Sequence, residues 1–184
     1  GNAATVLLLV VPLVTMRLVA EERHSRTLSL LFTAPVSMSE IILGKYLGVV
    51  LFLLTLVGLI ALMPLALLLG GSLDPGKLGT GLFGLFVLLA GFAAVGLFMS
   101  TLTEQPVVAA VSTFGALLGL WLVDWAARSG GAADALLNYL SLLSHYEPLL
   151  RGLIRSQDLA YFALLIATFL ILSIRRLDAD RVRG

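Results

Sequence analysis

Residues 46–73 read YLGVVLFLLTLVGLIALMPLALLLGGSL, without one charged side chain. A helix crosses a ~30 Å hydrocarbon core with roughly 20 apolar residues, and this run exceeds that length. It lacks the period-two alternation of a strand. In lipid, a lone segment satisfies its own backbone groups only as a helix. Three more uncharged stretches follow: Leu78–Thr103, Gln105–Val123 and Leu159–Ile174. The last is slightly short, but Arg175 and Arg176 stand at its end on stems long enough to snorkel toward water. Gly1–Met16 is short as well. Because the chain opens at Gly1 inside an apolar run, this stretch reads as the surviving part of a longer span. No basic region precedes it and no small-residue cleavage site follows it before Arg17, so it does not read as a secretory signal. The expectation is an all-α integral membrane protein with five spans, at about residues 1–18, 44–70, 79–102, 104–126 and 158–175. These form a single domain over residues 1–184.

Composition excludes the alternatives. Hydrophobic residues make up 59% of the chain and charged residues 12%, about half the roughly 25% charge of a soluble domain. The mean hydropathy of +1.04 confirms that the excess is apolar. Twelve basic and 11 acidic side chains cannot cover the surface of a soluble globule of this size. Disorder is excluded by the same numbers, and a disulfide scaffold by the absence of cysteine. A net charge of +1 offers no basis for nucleic-acid binding.

Local signals mark where helices begin. Ser37-Met38-Ser39-Glu40 has the form of a capping box, with Val36 and Ile41 placed as its hydrophobic staple. Asp74-Pro75-Gly76 reads as a turn between spans. Thr103 can cap the next helix, whose first turn tolerates Pro106. Ser144-His145-Tyr146-Glu147 has the form of a second capping box. Basic residues suggest the orientation. If the loop from Arg17 to Lys45 and the C-terminal tail share one side, that side holds Arg17, Arg23, Arg26, Lys45, Arg175, Arg176, Arg181 and Arg183. The other side holds Lys77, Arg128, Arg151 and Arg155. The positive-inside rule makes the first side cytoplasmic. Trp121 and Trp125 then sit near the outer end of their span, as an interfacial aromatic pair.

Two segments do not span. The loop from Ala20 to Pro35 starts with Glu21-Glu22-Arg23-His24 and turns amphipathic, with Leu28, Leu31 and Phe32 on one helical face and Pro35 closing it. A helix over about 25–35 fits two readings: resting on the lipid surface, or docking as knobs into a groove of a cytoplasmic partner. The stretch from Ser129 to Gln157 is longer than a connector requires. Leu136, Leu137, Leu140 and Leu143 share one face, and Leu149, Leu150, Leu153 and Ile154 follow. Two short helices over about 132–156 suit an interfacial or re-entrant hairpin at the outer leaflet.

Side chains that carry chemistry are scarce. His145 and Glu147 are the nearest pair resembling a metal or acid–base site, but no third ligand stands at useful spacing and Glu147 already serves the capping box. His24, the other histidine, falls on the opposite side of the membrane. No nucleophile motif, phosphate-binding glycine loop or zinc signature occurs, so no catalytic residue, metal or cofactor is expected on this chain. Intramembrane charge, which ion-coupled carriers retain, is limited to Asp124 at a span end. Gly44 with Gly48, and Gly115 with Gly119, have the spacing of close helix packing.

Taken in order, PLVTMRLVAEER (residues 12–23), TLSLLFTAPVS (27–37) and LGK (43–45) resemble a type-2 ATP-binding cassette permease. The nearest likeness is to the subgroup associated with gliding motility and nitrous oxide reductase maturation. TEQ (103–105), LSLLSHYE (140–147) and Arg151-Gly152 are similar to the same group, so the likeness runs through nearly the whole chain. The family often has Gly before the threonine and an acid two residues after it, where this chain has Arg26 and Ser29.

The resemblance implies six spans in the full-length protein and a coupling helix between the second and third. It implies an ATPase-coupling role for Glu22, Arg23, Arg26, Thr27, Leu28, Leu31, Phe32, Pro35 and Ser37. It also implies a second permease copy, and a cytoplasmic ATPase subunit that binds ATP and Mg²⁺. A membrane scaffold without transport, and less so a membrane enzyme, are the competing readings.

The orientation has a direct test. Single cysteines at Lys77 and Ser129, in this cysteine-free chain, are expected to react with an impermeant thiol reagent outside intact cells. Those at Ser25 and Arg183 are expected to stay unlabelled.

Overall fold

The computed structural model describes residues 2–25, 27, 36–68, 74–127 and 141–183. Every regular element among them is helical: α1 (Asn2–Thr15), α2 (Ala20–His24), α3 (Met38–Leu68), α4 (Pro75–Leu102), α5 (Pro106–Ala127), α6 (Leu142–Leu150) and α7 (Ser156–Arg183). Helices α3, α4, α5 and α7 are long and apolar enough to cross a membrane. Helix α1 has 14 residues and a length of about 21 Å at 1.5 Å per residue. The described residues therefore hold four full-length apolar helices where the sequence suggests five spans.

The capping signals explain the boundaries. The Ser37 amide donates to Glu40 Oε2 at 2.8 Å, and the Glu40 amide donates to Ser37 Oγ at 3.3 Å, closing the expected capping box. Helix α3 thus starts at Met38, ahead of the expected span limit near 44, and Lys45 lies inside it. Asp74 Oδ1 accepts from the Gly76 amide at 3.1 Å and Pro75 takes the first helical position. Asp74-Pro75-Gly76 is therefore the start of α4 rather than a free turn. Thr103 Oγ1 accepts from the Gln105 amide at 3.2 Å immediately before α5.

The second capping box is not formed. Ser141 Oγ accepts from the Ser144 amide at 3.2 Å, so α6 begins three residues earlier than expected. Packing makes the choice. This start turns Leu142, Tyr146 and Leu149 inward as one buried face, with the buried Ser141 hydroxyl satisfied. Glu147 falls mid-helix, 3.9 Å from Arg151. Leu153 and Ile154, expected in a second short helix, are exposed in the turn before α7. Residues 132–140 of the expected hairpin lie outside the described residues.

Helix α4 is the axis. Of its apolar window 67% is buried, against 22%, 17% and 17% for α3, α5 and α7. It packs against α1, α3, α5, α6 and α7. Small residues make this possible. A Cβ at Gly96 would stand 2.7 Å from Thr15 Cβ of α1, and one at Gly84 would stand 2.7 Å from Leu149 Cβ of α6. Both positions therefore need glycine. Helix α3 buries a single stripe, Ile42, Tyr46, Val49, Leu53, Val57 and Ala61, and the Tyr46 hydroxyl donates to the Ala90 carbonyl of α4 at 3.1 Å. The opposite faces expose Leu47, Leu51, Leu59, Val107 and Val111, an apolar surface suited to lipid.

Contacts along α4 fix the two ends of the bundle. Gly91 faces Phe162 and Leu165 of α7, and Phe98 meets Phe169 with ring centroids 5.7 Å apart, so α4 and α7 run parallel. Arg17, Lys45, Arg175 and Arg176 accordingly gather at the end where α4 finishes. Lys77 and Arg151 gather where it starts. Helix α7 continues to Arg183, beyond the expected limit near 175, because Leu177 is still fully buried and Arg176 pairs with Asp180 at 3.9 Å.

Gly96→Val forces a branched side chain into Thr15, an overpacking that costs about 1–3 kcal/mol. The detergent-solubilised protein is expected to unfold at a clearly lower temperature. Gly58→Ala, at a site with no atom within 4 Å of the added Cβ, is expected to leave the midpoint unchanged or raise it.

Candidate functional site

The chain between α1 and α3 is held by a polar joint. Pro12 lies inside α1, which ends at Thr15. Residues 16–19 form a turn into α2, a helix of five residues. So short a helix cannot sustain itself, because nucleation outweighs its few hydrogen bonds. Its first amides need an acceptor, and neither Val19 nor Ala20 carries one.

Ser100 supplies it from the last turn of α4. Its fully buried Oγ accepts from the Val19 and Ala20 amides, each at 3.0 Å, and donates to the Met16 carbonyl at 3.2 Å. One hydroxyl thereby uses its donor and both lone pairs. Lys45 works from the other side. Its Nζ reaches across from α3 to donate to the Leu18 carbonyl at 2.5 Å and to Glu22 Oε1 at 2.6 Å. Both side chains of the pair are largely shielded, 19% and 28% exposed. Glu22 Oε2 is buried and has no hydrogen-bond partner, so this carboxylate is held through one oxygen. The neighbouring Arg17–Glu21 pair, 3.8 Å apart and open to solvent, adds about 0–1 kcal/mol at most.

Past the joint, the Thr27 amide and hydroxyl both donate to the Glu22 carbonyl, at 3.0 and 3.3 Å, and Thr27 is exposed. Arg26, Leu28, Leu31, Phe32 and Pro35 lie outside the described residues, as does the Arg23 side chain. Of the expected coupling set, Glu22 turns inward to Lys45 and Ser37 caps α3. Sequence reasoning missed Ser100 and the pairing role of Lys45. Ser100 gave no signal, because a serine near a span end bonds as readily to its own helix. Lys45 did, as a cation just inside the start of an expected apolar span.

At the other end, α6 and α7 form a hairpin. Gly152 has φ +85°, its amide donates to the Leu149 carbonyl at 3.2 Å, and the Leu153 amide donates to the Pro148 carbonyl at 2.9 Å. That pattern closes a helix with glycine in the left-handed region. The His145 ring stacks on Tyr161 at 4.2 Å and 9°, and its Nδ1 lies 2.9 Å from the Ser141 carbonyl. Burial pushes the Tyr146 phenol above its ordinary value of 10.0. Among the described residues no group of three or more His, Asp or Glu could hold a metal ion.

Gly44, Gly48, Gly115 and Gly119 are exposed, with no atom within 4 Å of an added Cβ. The close approaches inside this chain fall instead on Gly84 and Gly96. The signal for Gly96 was the density of small residues in AGFAAVG, residues 90–96.

An apolar bundle carrying one clamped polar joint is the setting for the family comparison. A family model described as ABC-2 family transporter protein matches residues 2–175. The chain belongs to the ABC-2 transporter family. The match takes in the joint, helices α3, α4 and α5, and α7 as far as residue 175 of this ABC-2 chain. Searches of curated proteins and of solved structures returned no match. An ABC-2 chain is the membrane permease component of an ATP-binding cassette transporter, a transport component rather than itself an enzyme, and its partner is an ATP-binding cassette ATPase.

Ser100→Ala strips the acceptor from two buried amides, and each unsatisfied group costs about 1–3 kcal/mol. Amide hydrogen exchange at residues 19 and 20 is expected to accelerate at least tenfold, while exchange in the α4–α7 contact stays near wild type.

Proposed function

We propose that this chain is the permease subunit of an exporter in a prokaryotic cytoplasmic membrane. It moves its substrate with ATP hydrolysed by a separate subunit, which binds the ATP and Mg²⁺. The reading that fits the quoted motifs best is the subgroup resembling gliding-motility and nitrous-oxide-reductase-maturation permeases. Two permease copies surround the pathway, and the exposed faces bearing Gly44, Gly48, Gly115 and Gly119 are available for contact between them. The joint and the C-terminal tail face the cytoplasm, in line with the basic residues gathered at that end.

One observation carries the proposal: the amphipathic segment around residues 25–35 emerges from a joint tied to two spans, α3 through Lys45 and α4 through Ser100. A push on that segment by a closing ATPase is thereby delivered to the bundle. The spans tilt and open a pathway at the interface between copies, and the permease performs no covalent chemistry.

Leu31→Asp is the test. With Leu28, Leu31 and Phe32 inserted in an ATPase groove, the added charge is buried without a partner and costs several kcal/mol. Association with the ATPase is expected to weaken more than tenfold, the equivalent of ~1.4 kcal/mol, while the protein stays membrane-inserted. Ser29→Asp, on the opposite face, is expected to be mild. Wild-type ATPase binding in Leu31→Asp would remove the docking role from this segment and favour a helix resting on lipid.

A further inference from the structure

We propose that Lys45 is a positioning residue for energy coupling: its bonds to Glu22 and to the Leu18 carbonyl lock α2 to α3, so that both ends of the segment between them move with one span. The inference rests on the transporter reading above and assigns to Lys45 and Glu22 a role inside this chain. Glu22 acts here by holding α2 in place, not by touching the ATPase.

Three observations support it. First, the segment from residue 25 to residue 36 is anchored at its far end by the Ser37–Glu40 capping box, which belongs to α3 itself. Its near end hangs on α2, which is too short to be stiff unaided. A force on the segment reaches α3 from both sides only if α2 is also tied to α3. The described tie is Lys45, since the Ser100 bonds attach the same joint to α4 instead.

Second, the tie is strong for its size. Two charge-assisted bonds of 2.5 and 2.6 Å leave a single ammonium in a largely shielded position. Third, among the described residues it is not duplicated. Glu22 Oε2 is buried without a donor, so losing Lys45 leaves both carboxylate oxygens and the Leu18 carbonyl without their donor. Breaking a shielded pair from one side is far more harmful than replacing both partners.

The two partners are therefore unequal. Lys45→Met removes both bonds at once. Glu22→Gln keeps the Lys45 bond to the Leu18 carbonyl and is expected to be the milder change. A charge swap, Glu22→Lys with Lys45→Glu, restores an ion pair between α2 and α3 but not the carbonyl bond, because a carboxylate cannot donate. It is expected to rescue in part. Lys45→Arg retains donors for both acceptors and is expected to stay close to wild type.

The experiment uses the full-length protein with the ATPase that copurifies with it, and reads three quantities: ATPase affinity, the increase in ATP hydrolysis caused by the permease, and the unfolding temperature. Lys45→Met is expected to keep the affinity near wild type, to lower the unfolding temperature while the protein stays folded at the assay temperature, and to lose about tenfold of the stimulation, the equivalent of ~1.4 kcal/mol. The swap should recover part of that loss. Full stimulation in Lys45→Met overturns the inference and leaves the transporter reading standing. So does a loss of stimulation matched by an equal loss of affinity or folding, or a swap with no recovery. If no ATPase accompanies the wild-type protein, the transporter reading fails and this inference with it.

Discussion

A helix in contact with six others can be approached closely only where its own side chains are small. That constraint on α4 organises the bundle. Residues 90–96 read AGFAAVG, and α4 is buried around its circumference through this region. Gly96 admits Thr15, Gly84 admits Leu149, and Gly91 admits Phe162 and Leu165. In lipid, association of helices gains little from the hydrophobic effect, because the tails are as apolar as the side chains. Close van der Waals contact and interhelical hydrogen bonds take its place. The small residues of α4 supply the first, and the Tyr46 bond to the Ala90 carbonyl supplies one of the second.

The polar joint follows from the same arrangement. Gly96 and Ser100 lie one turn apart on α4, so the face that lets α1 approach also presents a hydroxyl to the chain leaving it. The turn after α1 breaks the helical ladder and leaves the amides of the buried Val19 and Ala20 in need of an acceptor. Ser100 and Lys45 satisfy those amides and the Leu18 carbonyl from two different spans. A segment that would otherwise be a loose connector becomes attached to the bundle at defined points.

Much of this was legible in the residues. The long apolar runs, the Ser37–Glu40 box and Thr103 ahead of Pro106 depend on neighbours in the chain, and each appears where its spacing placed it, while Asp74-Pro75-Gly76, read as a turn, caps and opens a helix. The second capping box failed because two serines three residues apart both offered a cap. Burial of Leu142, Tyr146 and Leu149 chose Ser141. The Gly44/Gly48 and Gly115/Gly119 spacings are a related case. A four-residue interval puts two glycines on one face but does not say which face points inward, and among the described residues no atom lies within 4 Å of a Cβ added at any of these four.

The sequence by itself therefore determined the helical class, the membrane setting, most helix starts and the family. All of these rest on composition and on interactions across three or four residues. Tertiary structure alone decided which helix is central, which glycines are contacts, and that Ser100 and Lys45 hold the start of α2. Ser100 lies 80 residues from the Ala20 amide it accepts, and Lys45 lies 23 residues from Glu22. No local periodicity encodes such pairs. They exist because α3 and α4 pack on each other and bring two polar side chains to the one place where α1 stops being a helix.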